Sequence, residues 1–329
     1  MMGQFLLIKQ LISFNNNDNL LFMIIIKGIE NIDIDFETSI TLGNFDGVHI
    51  GHKRIIEKTV NIAREYGIKS VVVTFDPHPI AFFGQRVDLL TNLEKKNQIL
   101  ETMGVDFHMV MSFNKELMMM DPEVFIREII VKRLKAKYVV VGYDYKFGSR
   151  RKGDFELLKI FSSRYGYEAY RYDRVVVDNM TVSSSNIRKL LKEGNLSLAN
   201  KMLDRYYSVL GQVVKGDGIG RLLSYPTANI VVADFLIPKY GVYATLIDID
   251  GKIYPCVTNV GIRPTIPGKN ELRIESFIFD FYDDIYNKNV ELFFVQFIRD
   301  EMKFENFDDL KNRIAIDCEV AKNILDNLK

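Results

Sequence analysis

Two histidines three residues apart, His49 and His52, follow the glycine-containing stretch Gly43-Asn44-Phe45-Asp46-Gly47-Val48 and stand where a helical pattern begins. Free backbone amides at a helix start attract phosphate, and glycine lets the backbone approach an anion closely. Residues three apart share a helix face. Two imidazoles aimed at one point can therefore donate hydrogen bonds to a phosphoryl oxygen or to a departing pyrophosphate. Zinc would need more ligands than two histidines, and no third is placed nearby. Only 4 histidines occur in the chain, and this stretch holds two of them. A second phosphate signal is Ser183-Ser184-Ser185-Asn186-Ile187-Arg188, which opens another helical pattern. The planar guanidinium of Arg188 fits a phosphate.

A different chemistry is written further along. Gly216-Asp217-Gly218-Ile219-Gly220-Arg221 makes a flexible loop able to wrap phosphates, and Pro226-Thr227-Ala228-Asn229 follows it. Thr227 and Asn229 are two apart, so on a strand they point the same way. Their paired oxygens suit a magnesium ion that also holds ATP phosphates. Glu275 stands in an apolar strand-like run, where a carboxylate is costly unless it has a partner or a task.

These residues need elements to position them. From Ser39 to about Arg171, short β-rich runs alternate with helical patterns: strands at 40–42, 71–75, 107–111, 138–141 and 168–172, helices at 53–66, 93–103, 122–134 and 155–164. Strands spaced by helices imply a parallel sheet covered on both faces, with ligands at the carboxyl ends of its strands. After about Tyr206, six β runs follow closely, at 209–214, 228–232, 242–249, 254–260, 274–281 and 290–297. Close-set strands suggest an antiparallel barrel or sandwich, and Asp250-Gly251 is a hairpin signal. A helical pattern at 308–328 carries apolar Leu310, Ile314, Ala321 and Leu325, with Asp317 the exception on that stripe. The expected fold is α/β, a Rossmann-like domain at 23–205 and an antiparallel β-barrel with a terminal helix at 206–329. Residues 1–22, with Asn-rich 15–19 and no cleavage site, read as an extension preceding a strand-like run at Met23.

Composition narrows the partners. Lys and Arg number 43 and so do Asp and Glu, a balance unlike the basic surplus of nucleic-acid binders. No apolar run approaches the roughly 20 residues of a membrane span. Two cysteines, Cys256 and Cys318, make neither a disulfide framework nor a metal cluster and fit a reducing cytoplasm.

The His-x-Gly-His stretch resembles that of nucleotidyltransferases. With Phe75-Asp76-Pro77-His78-Pro79, Gly142-Tyr143-Asp144-Tyr145-Lys146-Phe147-Gly148 and the serine-arginine stretch, it is similar to the adenylyltransferase half of the bacterial bifunctional riboflavin kinase/FAD synthetase family. Pro226 to Asn229, Asn259 to Thr265, Glu275 to Phe281, Tyr286 and Arg299 to Phe304 resemble its riboflavin kinase half. The resemblance spans about residues 23–325. It implies phosphorylation of riboflavin to FMN and adenylylation of FMN to FAD, with ATP and Mg2+. It implies that His49 and His52 contact ATP phosphates, as do Ser184, Ser185 and Arg188, with Gly43, Asn44, Phe45 and Asp46 in the same pocket. Asp76, His78, Asp144, Phe147 and Arg263 are implied on the substrate side, and Gly218, Gly220 and Arg221 on the second ATP. Thr227 and Asn229 then hold Mg-ATP, and Glu275 takes the proton of the ribityl 5′-hydroxyl. Asp76, Ser185, Ser224, Phe277 and Asp204-Arg205-Tyr206 depart from the family's usual Glu, Thr, Gly, His and Gly-Arg-Pro. Two other readings are an adenylyl- or cytidylyltransferase with another acceptor and a flavin-binding regulator without turnover.

Overall fold

The structure is a computed structural model that describes residues 23–28, 34–84, 87–216, 225–266 and 269–328, with the backbone alone at 263–266 and 269–271. By internal contacts the chain forms two compact units, one ending at Ser184 and the other beginning at Ser185.

The first unit is built on β1 (Ile24–Lys27), β2 (Thr38–Leu42), β3 (Lys69–Asp76), β4 (Phe107–Ser112), β5 (Ala136–Gly142) and β6 (Glu168–Tyr172). They pair in parallel in the order β1-β4-β3-β2-β5-β6. Both faces are covered, so alternate residues enter opposite cores. Ile40, Val71, Val73, Val139 and Val141 lie in one apolar cluster, and Val72 and Val140 lie in the other with Ile56 and Val60. Those last two belong to α1 (Ile50–Tyr66), which is followed along the chain by α2 (Leu93–Thr102) and α3 (Phe155–Tyr165). After β4 the chain crosses to the far side of β2 to form β5. The order therefore reverses beside β2, the place where open parallel sheets bind ligands. The segment expected as one helix at 122–134 is a turn at Pro122–Val124 running into a π-helix at Phe125–Arg133, with Phe125, Ile126, Ile129 and Ile130 buried. A short hairpin, β7 (Val176–Val177) and β8 (Met180–Thr181), precedes the end of the unit.

The second unit opens with α4 (Ser184–Glu193), whose first residue closes the first unit, and α5 (Leu196–Leu203). Then come β9 (Tyr207–Val214), β10 (Ala228–Val232), β11 (Gly241–Ile249), β12 (Lys252–Ile266), β13 (Lys269–Ile278) and β14 (Asn289–Arg299). These six antiparallel strands close into a barrel in the order β10-β13-β12-β11-β14-β9. Closure removes the exposed edges that a sandwich would have to protect. Asp250 (φ 53°) and Gly251 (φ 81°) make the β11–β12 turn, both residues left-handed as a tight hairpin requires. α5, which the periodicity did not announce, is fastened by Asn200: its Nδ2 donates to the Phe294 carbonyl (3.0 Å), and its Oδ1 accepts from the Tyr207 amide (2.7 Å). The terminal helix α6 (Phe307–Asp326) lays Cys318, Ala321 and Leu325 against Val242, Ala244 and Val257 on the outer face of the barrel. Among the described residues no helix is long and apolar enough to cross a membrane.

Candidate functional site

The first set of residues lies at the carboxyl ends of β2, β3 and β5. Beyond Leu42 the chain turns through Phe45 (φ 46°), Gly47 (φ 84°) and Val48 (φ 37°) before entering α1. A non-glycine residue in that region costs about 1–3 kcal/mol and persists only when its surroundings over-determine it. Here they do. The buried Asp46 carboxylate accepts the amides of Leu90 (2.9 Å) and Thr91 (3.0 Å). The Gly47 amide donates to Thr91 Oγ1 (3.0 Å), and Ser184 Oγ donates to the Asp46 carbonyl (2.8 Å). Lys96 Nζ, from α2, donates to the Asn44 carbonyl (2.7 Å).

His49 is the N-cap of α1. Its Nδ1 accepts the His52 amide at 3.2 Å, so a neutral His49 ring carries its proton on Nε2. This cap starts the helix at Ile50, earlier than the apolar pattern alone placed it. The two imidazoles stack, with centroids 3.5 Å apart and planes 19° apart, and Phe45 meets His52 edge-on at 5.1 Å. A side chain at Gly51 would come within 3.3 Å of the His49 ring, and one at Gly43 within 3.1 Å of Phe45. Asn44 Oδ1 is buried with no hydrogen-bond partner among the described residues.

Gly43, Asn44, Phe45, Asp46, His49, His52 and Ser184 are thus brought together. Asp76 and Asp144 are exposed at the neighbouring strand ends. His78 caps the short helix Pro79–Phe82, its Nδ1 accepting the Ile80 amide at 3.2 Å. Phe147 turns inward and packs on Phe125 and Tyr145 in the core. Ser185, exposed, and Arg188, half-buried, stand on α4 in the second unit. Lys96 and Thr91 went unnoticed in the sequence. Glu94-Lys95-Lys96 reads as an ordinary charged helix surface, and only the folded chain puts Lys96 beside Asn44.

The second set is arranged by strand register. Asn229 on β10 and Asn259 on β12 both lie opposite Glu275 on β13, one on each side. Directly paired residues have Cβ atoms about 4.5–5.5 Å apart, so an amide flanks the carboxylate on either hand. Between these strands and α6 is a cavity of about 450 Å³, lined by Thr227, Asn259, Glu275 and Phe277 on the barrel side and by Ile314 and Asp317 on the helix. Phe277 meets Tyr225 and Phe279 edge-on at 5.2 and 5.7 Å. Asp317, the polar exception on the apolar stripe, is buried and accepts from Arg299 Nη2 (2.6 Å) and Nε (2.9 Å) and from Arg313 Nε (3.1 Å). Burial raises the Glu301 carboxyl above its usual range, and Arg299 opposes that rise. Gly216 and Gly261 leave room for the side chains of Asn229 and Glu301, which a Cβ at either glycine would strike. Gly218, Gly220 and Arg221 lie outside the described residues. So does the side chain of Arg263, whose backbone pairs with Glu271.

The FAD synthetase family model matches residues 32–186, and the riboflavin kinase family model matches residues 203–325. Curated relatives called bifunctional riboflavin kinase/FMN adenylyltransferase include one from Buchnera aphidicola subsp. Acyrthosiphon pisum, 35% identical over 91% of this chain and 97% of its own. One from Haemophilus influenzae is 36% identical over 91% and 98%, and one from Escherichia coli K12 is 32% identical over 90% and 96%. A solved structure from Streptococcus pneumoniae, called a macrolide-efflux protein, matches with a TM-score of 0.84 and 31% identity over 92% of this chain and 99% of that one.

Proposed function

The chain belongs to the bifunctional riboflavin kinase/FMN adenylyltransferase family, and from that premise we propose that it phosphorylates riboflavin to FMN at the barrel and adenylylates FMN to FAD at the parallel sheet, consuming one ATP in each step. The observation that carries the first step is the row Asn229–Glu275–Asn259 across three strands beside the cavity. Glu275 accepts the proton of the ribityl 5′-hydroxyl while that oxygen forms its bond to the γ-phosphorus. The bond from the γ-phosphorus to the bridging oxygen breaks, and ADP leaves. A positioned carboxylate and charge neutralisation are what phosphoryl transfer to an alcohol needs. The Thr227 hydroxyl and the Asn229 amide supply hard oxygens of the kind Mg2+ prefers. They would hold that ion, whose charge would offset the phosphates.

In the second step a phosphate oxygen of FMN attacks the α-phosphorus of ATP, and pyrophosphate leaves. The amides at the start of α1 and the Nε2–H of a neutral His49 are donors suited to the phosphates. His52 and Ser184 join them at the triphosphate. The orphaned Asn44 Oδ1 takes a donor from the bound nucleotide. Asp76, His78 and Asp144 serve the flavin side, and the buried Phe147 supports the β5 turn. Arg263 serves the flavin of the kinase, and Gly218, Gly220 and Arg221 wrap its ATP.

The activities divide near residue 205, and the enzyme works in the cytoplasm. Riboflavin and Mg-ATP incubated with the full chain should give FMN first and FAD after it, resolved by chromatography over time. A fragment beginning near Asp204 should form FMN alone. Folded full-length protein that converts neither riboflavin nor FMN would overturn the reading.

A further inference from the structure

Lys96 stands on the first turn of α2, half-buried, and its ammonium donates to the Asn44 carbonyl at 2.7 Å. A peptide unit is planar and trans, so its carbonyl and its N–H point in opposite directions. Binding the Asn44 oxygen therefore aims the Phe45 N–H away from Lys96. That peptide belongs to the turn in which three of four consecutive residues, Phe45, Gly47 and Val48, have positive φ, where small rotations would redirect the amides.

The charges around Lys96 make a second, separate observation. Asp46 on the turn and Asp76 at the end of β3 both act on it electrostatically. His108 on β4 is held neutral, pushed down to about 3 by burial and by the Lys96 charge, and is hydrogen-bonded to Thr74 Oγ1 (2.8 Å) and Asn97 Oδ1 (2.6 Å). On its own helix the neighbouring Lys95 reaches Gln98. Two carboxylates, one on the turn and one at a strand end, repel an incoming polyphosphate, and a fixed ammonium acting on both offsets that repulsion.

We propose that Lys96 is the positioning residue of the adenylyl-transfer site: it fixes the Asn44–Phe45 peptide and offsets Asp46 and Asp76, so that the turn accepts the triphosphate of ATP. This rests on the reading of that site as the adenylyl-transfer centre. Burial lowers the Lys96 ammonium from the ordinary lysine range, while the two carboxylates resist that shift. The cation is present below that lowered value and lost as pH rises through it, so affinity for ATP weakens on the alkaline side.

The test uses the full chain, supplied FMN and varied ATP, from about pH 7 to about pH 10, with riboflavin phosphorylation as the internal reference. Lys96→Met should raise the KM for ATP in adenylylation about ten- to a hundredfold, the scale of one charge-assisted hydrogen bond, with a smaller change in kcat. Lys96→Arg should recover most of the loss and remove the alkaline rise in KM, since guanidinium stays charged. Lys96→Met with a native KM, or Lys96→Arg with the native alkaline rise, overturns the proposal. If Lys96→Met loses both activities through misfolding, the Lys96→Arg profile alone decides. A wild-type chain that forms no FAD from FMN overturns the reading of the site and this proposal with it, whereas a wild-type chain that forms FAD beside a Lys96→Met chain of native KM overturns the proposal alone.

Discussion

The parallel sheet and the barrel hold their candidate residues by opposite means. At the sheet, a single turn of chain, Gly43 to His52, supplies most of the groups, and the strands beneath it supply only their ends. The turn keeps its strained shape because Leu90, Thr91, Lys96 and Ser184 grip it from outside. At the barrel no single stretch makes the site. Asn229, Asn259 and Glu275 come from three strands and meet because pairing register sets them side by side. A gripped loop can fail by losing one outside contact. A register row fails only with the sheet, so its members can be changed one at a time with the scaffold intact. The barrel should therefore give the cleaner separation of chemistry from stability.

The largest effect should come from Glu275→Gln. It keeps shape and a hydrogen-bonding group but cannot accept the proton, so FMN formation should fall by about a hundred- to ten-thousandfold. FAD formation from supplied FMN should continue at the native rate, and the unfolding midpoint should stay put. Native FMN formation by this variant would remove Glu275 from the chemistry and leave the register row without its centre.

Asp317→Ala asks how much of the barrel's scaffold rests on one buried ion pair. It strands Arg299, whose side chain is only 14% exposed. Removing one partner of a buried pair costs about 3–5 kcal/mol. In a urea titration the transition of the second unit, followed by the loss of riboflavin phosphorylation, should move to lower urea, while the transition of the parallel-sheet unit stays put. A shift of both transitions together would show the two units to be a single cooperative block.

His49→Ala tests the gripped turn. It removes an N-cap together with a phosphate donor, so adenylylation should fall about ten- to a thousandfold with riboflavin phosphorylation untouched. Unlike Glu275→Gln it should also lower stability, by about 1 kcal/mol. A His49→Ala chain that loses rate with no change in stability would make the sheet's site as separable as the barrel's, and the contrast would go.

Legibility in the sequence follows the same division. The sheet's motif is contiguous, so its glycines, histidines and position before a helix could be read directly. The strands were visible as β-branched runs because both faces of the sheet are buried. What could not be read is what grips the turn. Thr91 lies 44 positions from Gly47 and Lys96 lies 52 from Asn44, and nothing local marks them. Asp46, expected in the ATP pocket, spends its carboxylate oxygens on Leu90 and Thr91, which a one-dimensional reading cannot foresee. In the barrel each strand could be read alone, but the choice between barrel and sandwich could not, because β9–β10 and β9–β14 pairing decides it. Asp317 looked like a flaw in the α6 stripe until Arg299 and Arg313 were found beside it. Asn259 gained a place in the site only when its register with Glu275 was known.

The smallest effect should fall on the other face of the same strands. Thr258 is the neighbour of Asn259, and Ser276 the neighbour of Glu275, so pleating turns both away from the cavity. Inside the barrel they form a buried run of hydroxyls: Thr245 Oγ1 to Thr258 Oγ1 at 2.6 Å, and Thr258 Oγ1 to Ser276 Oγ at 2.8 Å, with Cys256 Sγ 3.1 Å from Thr245. The Cys256 thiol is pushed up to about 12 by burial, which makes it a packing group and not a nucleophile. Thr258→Val keeps the shape and removes the central hydroxyl, leaving Thr245 and Ser276 each short of one partner. A buried polar group so stranded costs about 1–3 kcal/mol, and backbone carbonyls such as that of Cys256, 3.3 Å from Thr245 Oγ1, hold the loss toward the lower end. The unfolding free energy of the second unit should drop by that amount and its urea midpoint should fall with it, while kcat and KM for riboflavin phosphorylation, measured well below the transition, stay native. A fall in kcat at full folding would mean that the inner hydroxyls set the placement of Glu275 and Asn259. The barrel's site would then be gripped from behind, as the sheet's turn is gripped from outside.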